Sequence, residues 1–399
     1  MIKNKIGIVF YSNPDYYPPT INAVHLLAEY FDIVLICRNQ NLSHWQYPSN
    51  VRVYRLGQYT SVEEKESASP WAKFLEYTNF VVHASHILKD VSLIYAYDAF
   101  GYAAAYLSRV VVSPSIPMIY HNHDINEHLF PLISLSGWVQ KIERNIANKA
   151  AIVVFPSQER ALFFKQVSNF KNHPNIVPNF PRKSFFKQLP NKMFENLISE
   201  RFKKKEVLLQ GSISEKNSML DLIKSLNYLN KNITLKLIGV LREKELLLMR
   251  KLAIKQDVAD RVDYFRPVPY AEIQSHTLNA SVGVCLYKKI SLNNQTMATA
   301  SNKVYEYAAC GLPVIISDFE NHRKYLENES WVRFADPDNS HSIASAVQDI
   351  LSDFENYRKM CLAARKAFEE KFNYETVFSP LLFKIKELVD ESKKSQLSK

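Results

Sequence analysis

Glu306 stands about one helical turn beyond Ser301, Asn302 and Lys303, a carboxylate close to a polar helix start. The surrounding segment, residues 301–318, reads SNKVYEYAACGLPVIISD. Val304, Tyr307 and Ala308 fall at helical spacing, Gly311 suits a left-handed helix end and Pro313 prevents resumption, so a short helix feeds a buried strand. Unpaired amides at a helix start attract phosphate, and a carboxylate one turn on can accept from ribose hydroxyls. The pair suits a nucleoside diphosphate; the plain alternative for Glu306 is a solvated helix face. A second polar group, His121, His123, Asp124 and Glu127 in IYHNHDINE, closes a predicted strand, where doubly wound folds place ligands. His121 and His123 share one strand face, but no nearby cysteine and no His-Glu-x-x-His pattern supports zinc, and no metal site is assigned. Asp336 and Asp338 lie within the turn-like ADPDNS and are read as a turn. No G-x-G-x-x-G and no Walker lysine loop is present, which removes dehydrogenase and NTPase readings.

The elements that must carry these residues alternate. Strand-like runs at 6–11, 33–37, 51–55, 93–97, 117–121 and 152–155 are separated by helical patterns, which predicts a parallel sheet covered by helices. Prolines interrupt the pattern between 175 and 190, and a second series follows at 207–210, 234–238, 262–265, 282–286 and 314–316. Helices are predicted within 342–372, and an amphipathic helix over 374–390 precedes a polar tail. The resulting expectation is α/β: a doubly wound N-terminal domain over 1–180, a linker at 181–205, a second doubly wound domain at 206–373 and a terminal helix with its tail at 374–399.

The 50 Lys and Arg against 40 Asp and Glu leave a net charge of +10, which favours anionic partners. No basic helix, RNA-binding signature or zinc finger accompanies the charge, so nucleic acid is not an expected partner. Cys37, Cys285, Cys310 and Cys361 are too scattered for a disulfide framework, and the apolar run at 6–11 is too short for a signal peptide; a cytoplasmic protein is expected. No apolar run reaches the length of a membrane span, so contact with an anionic membrane would be peripheral.

At 301–318 the chain resembles the retaining family-four glycosyltransferases of the GT-B fold, whose second domains carry stretches like P-N-K-x-x-E-Y-x-A-x-G-x-P-V-I. VLLQGSISEKNSMLDL at 207–222 and RVDYFRPVPYAEIQSHTLNASVGVCLY at 261–287 resemble further parts of that domain, and IYHNHDINE and AIVVFPSQER parts of the first. The resemblance implies two facing domains with a cleft between them and a C-terminal helix that crosses back to the first. It implies a nucleotide-sugar donor, UDP- or GDP-linked, as substrate with no separate cofactor, and a glycan, lipid-linked or other glycoconjugate acceptor. It places Gly211, Ser212, Lys216, Val268, Ser301, Asn302, Lys303 and Glu306 around the nucleotide, and His123 and Asp124 near the donor sugar and acceptor as catalytic groups. Several positions depart from the pattern: Ala298 stands where many members have a first glutamate, and Ser212 and Asn217 where a basic pair is common. Two other readings stay open, a GT-B-like sugar-nucleotide epimerase and a non-catalytic binding partner.

Overall fold

The apolar runs become strands of two parallel sheets in the computed structural model, which describes residues 3–40, 45–60 and 68–397. The chain divides into two units: residues 1–178 with 378–399, and residues 179–377. In the first unit the described strands are β1 (Lys5–Phe10), β2 (Asp32–Gln40), β3 (Val51–Thr60), β4 (Leu93–Tyr97), β5 (Met118–His121), β6 (Ile152–Phe155) and β7 (Asn175–Ile176). Their order is β3-β2-β1-β4-β5-β6-β7, every pair parallel, so the direction of winding reverses between β1 and β4. The second unit holds β8 (Glu206–Ser212), β9 (Thr234–Val240), β10 (Val262–Phe265), β11 (Val282–Cys285), β12 (Val314–Ser317) and β13 (Val332–Ala335). Their order, β10-β9-β8-β11-β12-β13, reverses between β8 and β11. Residues such as Ile8, Leu35, Tyr95, Leu209 and Ile315 are wholly buried, as strands covered by helices on both faces require.

Two strands escape the sequence pattern. β7 has only two residues, and β13 (VRFA) interrupts its apolar run with Arg333. Residues 191–204, inside the stretch assigned above to the linker, form a helix that buries Phe194, Ile198 and Arg201 at i, i+4 and i+7. The last helix extends beyond 390, spanning Tyr374–Leu397. Within the first unit its Phe378, Leu381, Ile385 and Val389 are buried, and Lys384 donates to Asn175 at 2.6 Å.

Arg201 fixes the central element of the second unit. Its guanidinium is 1% exposed and donates to the carbonyls of Leu278 (2.7 Å), Cys310 (3.0 Å) and Gly311 (3.2 Å). The last two lie just past the C-terminus of the Asn302–Ala309 helix, where a cation both satisfies orphan carbonyls and complements the helix dipole. Gly311 itself is left-handed at φ 62°. Arg358, by contrast, forms its two-pronged pair with Glu195 (2.6 and 2.7 Å) at the surface, where such pairs contribute little. Arg201→Met should therefore lower the stability of the second unit by roughly 3 kcal/mol, because three buried carbonyls lose their donors. Arg358→Met should shift the unfolding midpoint much less. Denaturant titration of the two variants side by side checks the ranking, and equal losses would contradict it.

Candidate active site

The second unit opens a crevice where its sheet reverses. Pairing between β8 and β11 ends at Gly283 opposite Leu208, whereas β8 stays paired to β9 through Ser212. The phenol of Tyr307 fills the gap. It accepts from the Gln210 N–H at 3.1 Å, and its hydroxyl lies 3.3 Å from the carbonyls of both Leu208 and Val284. A side chain on Gly283 would meet the Tyr307 ring at 2.4 Å, so glycine is what lets the ring in. One residue before Tyr307 is Glu306, 4% exposed. Its carboxylate accepts from Gln210 Nε2 (2.6 Å) and from Asn302 Nδ2, and the Tyr270 hydroxyl, which accepts from Asn302 Nδ2 at 3.1 Å, is also bonded to it. Burial pushes the Glu306 carboxyl above its usual range, while these donors and Lys303 act in the opposite direction. The solvated helix face is thereby replaced by a buried hub.

Ser301, Asn302 and Lys303 do form the start of the 302–309 helix, with Ser301 as the extended cap residue. Asn179 holds the preceding turn, donating from its backbone to Thr299 O (2.8 Å) and from its side chain to Ala300 O (2.9 Å). Ser301 Oγ is buried 3.2 Å from both Tyr287 Oη and Cys285 Sγ. The stem of Lys303 covers Gly211, which takes a φ of 94° one residue before the end of β8, and its ammonium sits 5.0 Å from the Tyr287 ring centroid. Burial works against the charge on Lys303, but Tyr287, Cys285 and Glu306 outweigh it and raise its affinity for a proton. The structure thus brings Gly211, Ser301, Asn302, Lys303 and Glu306 together. Ser212 and Lys216 are exposed just past this group, at the end of β8 and in the turn after it. Val268 packs against the core, and its loop delivers Tyr270 to Asn302. Gln210 and Tyr270 were not singled out in the sequence, because one looked like an interior strand residue and the other like part of an irregular loop.

Asp336 and Asp338 form a turn, with the Asp338 N–H donating to Asp336 Oδ1 at 3.0 Å and the Asp338 carboxylate 2.8 Å from Lys288 Nζ. Among the described residues no cluster of three His, Cys, Asp or Glu side chains is placed to hold a metal ion.

In the first unit the polar group lies near the reversal point of that sheet. His121 and His123 do share a face, their rings 4.9 Å apart. His123 is stacked on Tyr97 at 5.0 Å, with Nε2 3.1 Å from Thr20 Oγ1, and burial holds its pKa down at about 4. The ring is therefore neutral at physiological pH. His121 is held well below its ordinary range by the same cause, with Nδ1 2.8 Å from Tyr95 Oη. Asp124 points outward, 66% exposed, and pairs at 3.0 Å with Arg160, which is wholly buried and also donates to the His123 carbonyl.

Asp98, which the sequence reading passed over, directly follows β4. It adopts a left-handed conformation at φ 53°, one that Asp tolerates better than most side chains, and accepts from the His123 N–H at 2.7 Å. Burial, together with Asp124 and Glu143, raises its carboxyl to about 7. Glu143 rises to about 7 as well, chiefly through burial, while accepting from the Tyr120 hydroxyl.

These two carboxyls carry a sign for stability against pH. Unfolded, they ionise near 4; folded, near 7, so between those values the native state holds protons that the unfolded chain has released. Stability of the first unit should fall as pH rises from about 5 to about 8, each group contributing on the order of 2–3 kcal/mol over that window. Glu143→Gln keeps an acceptor for Tyr120 and should flatten part of the fall, with the variant gaining on the parent at pH 8. Thermal melts at both pH values check this, and parallel curves for the two proteins would contradict it.

Comparison with known proteins gives this geometry a context. Residues 192–367 match the family described as Glycosyl transferases group 1. Among curated proteins none matches the chain by sequence. Solved structures share its fold along nearly its whole length. Anabaena HepE, in complex with UDP and glucose, is 14% identical, with 96% of this chain and 100% of that one covered at a TM-score of 0.71. Sucrose-phosphate synthase from Thermosynechococcus elongatus is 17% identical, with 98% and 100% covered at 0.72. A protein described as a putative UDP-N-acetylglucosamine 2-epimerase from Listeria monocytogenes is 12% identical, with 98% and 97% covered at 0.60. The two doubly wound units and the terminal helix are those of the GT-B fold. The stretch that matches the Glycosyl transferases group 1 family, residues 192–367, makes up most of the second unit.

Proposed function

We propose that the protein transfers a sugar from a nucleoside diphosphate sugar to a hydroxyl of a glycan, lipid-linked or other glycoconjugate acceptor, with retention at the anomeric carbon. The observation that carries this reading is the convergence of Glu306, Lys303 and the start of the 302–309 helix on the crevice between β8 and β11. Helix amides and Lys303 meet the diphosphate, with Lys216 and Ser212 beyond them, and Glu306 accepts from the ribose through the lone pair that Gln210, Asn302 and Tyr270 leave open. The match to group 1 glycosyl transferases supports it, as does the UDP held by HepE, which shares the fold.

In the proposed reaction the bond between the anomeric carbon and the diphosphate breaks as the acceptor oxygen bonds to the same face. The acceptor proton passes to the departing phosphate oxygen. No strong side-chain base is needed. That agrees with His123, whose neutral ring can donate and accept hydrogen bonds but takes up a second proton only below about pH 4. His123, Asp124 and Asp98 would orient the sugar and acceptor and stabilise charge, contributions of roughly 10²–10³ in rate for one preorganised polar group.

The test is NMR of the products formed from α-linked UDP- and GDP-sugars, with and without glycan acceptors. The expected result is an α-linked product that appears only when acceptor is present. A β-linked product would overturn retention. A donor sugar altered without acceptor would favour the epimerase reading, and failure to bind any nucleoside diphosphate the non-catalytic one.

A further inference from the structure

The lysines around the crevice between β8 and β11 differ in their surroundings. Lys288 is already neutralised, its ammonium 2.9 Å from the Asp221 carboxylate and 2.8 Å from that of Asp338. Lys216 stands exposed in the turn after β8, where water screens its charge. Lys303 is half-buried, and among the described residues no carboxylate stands within ion-pair distance of it. An ammonium drawn partly out of water without an anion carries a desolvation cost, which an anionic ligand relieves.

Lysine is a point charge on a flexible stem, so one that must meet a particular phosphate has to be held. Lys303 is held along its length. Its stem lies on Gly211, where a Cβ would stand 3.2 Å from Lys303 Cδ, and its ammonium lies over the Tyr287 ring, within the range of a cation–π contact. Tyr287 is itself fixed at both ends. Its N–H donates to Ser317 Oγ at 2.7 Å and its carbonyl accepts from the Ser317 hydroxyl at 2.9 Å, which ties the segment after β11 to the last residue of β12. At the other end its hydroxyl lies 3.2 Å from Ser301 Oγ, the cap of the helix that carries Lys303. Packing alone would be served by any apolar side chain of this size. Tyrosine adds an electron-rich face beneath a cation.

We infer that Tyr287 is a positioning residue for the donor's diphosphate: its ring sets the Lys303 ammonium beside the start of the 302–309 helix, and it acts on the ligand only through that lysine. The inference rests on the nucleotide site proposed above. It adds that a single lysine, placed by an aromatic ring, supplies most of the side-chain charge that meets the diphosphate.

The test is calorimetry of the full-length protein with inorganic pyrophosphate and with UDP. Tyr287→Met fills the space without a π face and should weaken pyrophosphate binding ~5-fold or more, whereas Tyr287→Phe keeps the face and should stay within about 2-fold of the parent. Lys303→Met should weaken binding ~10-fold or more. Added to Lys303→Met, Tyr287→Met should have no further effect; lost packing, by contrast, would weaken binding in both backgrounds. Ser317→Ala leaves the ring in place but releases the backbone that carries it, and should act in the same direction as Tyr287→Met. It decides the matter should Tyr287→Met fail to fold, parental affinity then overturning the inference. Equal pyrophosphate affinity of parent and Tyr287→Met would overturn it, as would a Tyr287→Met effect that persists undiminished without Lys303. A parent that binds neither UDP nor pyrophosphate would overturn the nucleotide site itself, and the inference with it.

Discussion

The phenol of Tyr307, wedged between β8 and β11, is the contact on which the second unit's arrangement depends. A parallel sheet that reverses its winding leaves a crevice at the reversal. Here a side chain holds the crevice open, taking the hydrogen bonds that the ladder gives up at Leu208, Gln210 and Val284. Because Tyr307 is helical, the wedge also fixes the helix, and with it the Glu306 carboxylate one position earlier and the amides of the first turn. The wedge works only with room at Gly283 and with a firm anchor at the far end, which Arg201 supplies through the carbonyls of Cys310 and Gly311. Core packing and the proposed nucleotide contacts therefore share a single eight-residue helix.

The first unit uses the same topology differently. At its reversal the residue after β4 is Asp98, strained into a left-handed conformation and hydrogen-bonded to the backbone of His123. Buried polar groups surround it: two histidines kept neutral, the Glu143 carboxyl kept partly protonated like that of Asp98 itself, and the buried Arg160, paired with the exposed Asp124. Such a cluster is expensive to bury and is found where a protein needs preorganised hydrogen bonding. The second unit, by contrast, sets the helix start and Lys303 side by side, with the Glu306 carboxylate one turn on.

Much of this was legible in the residues. The 301–318 segment announced itself because helix period, terminating glycine and proline, and the following strand agree with one another, and alternating apolar runs gave most strands of both sheets. β13 was lost because an arginine interrupts a short run, and the 191–204 helix because nearby prolines drew attention to a crossing. The site was legible in residue types but not in environment. Nothing local to Glu306 reveals that Gln210, nearly a hundred positions earlier, donates to it. Tyr307 read as an ordinary core position, since its hydroxyl finds partners only across the sheet. Asp98 had a usable signal, an acidic residue directly after a fully apolar strand, but its importance comes from lying at the reversal, which strand order alone reveals.

Calorimetry with the parent protein and Glu306→Gln tests the central claim most directly, that the crevice between β8 and β11 receives a nucleoside diphosphate. UDP or GDP should bind the parent, and the substitution should weaken that binding about 10-fold or more, the loss typical of a hydrogen bond to a charged group. Inorganic pyrophosphate, which carries no ribose, should bind both proteins alike and so separate a lost ribose contact from a disturbed helix. Equal affinity of parent and variant for the nucleotides would contradict the account.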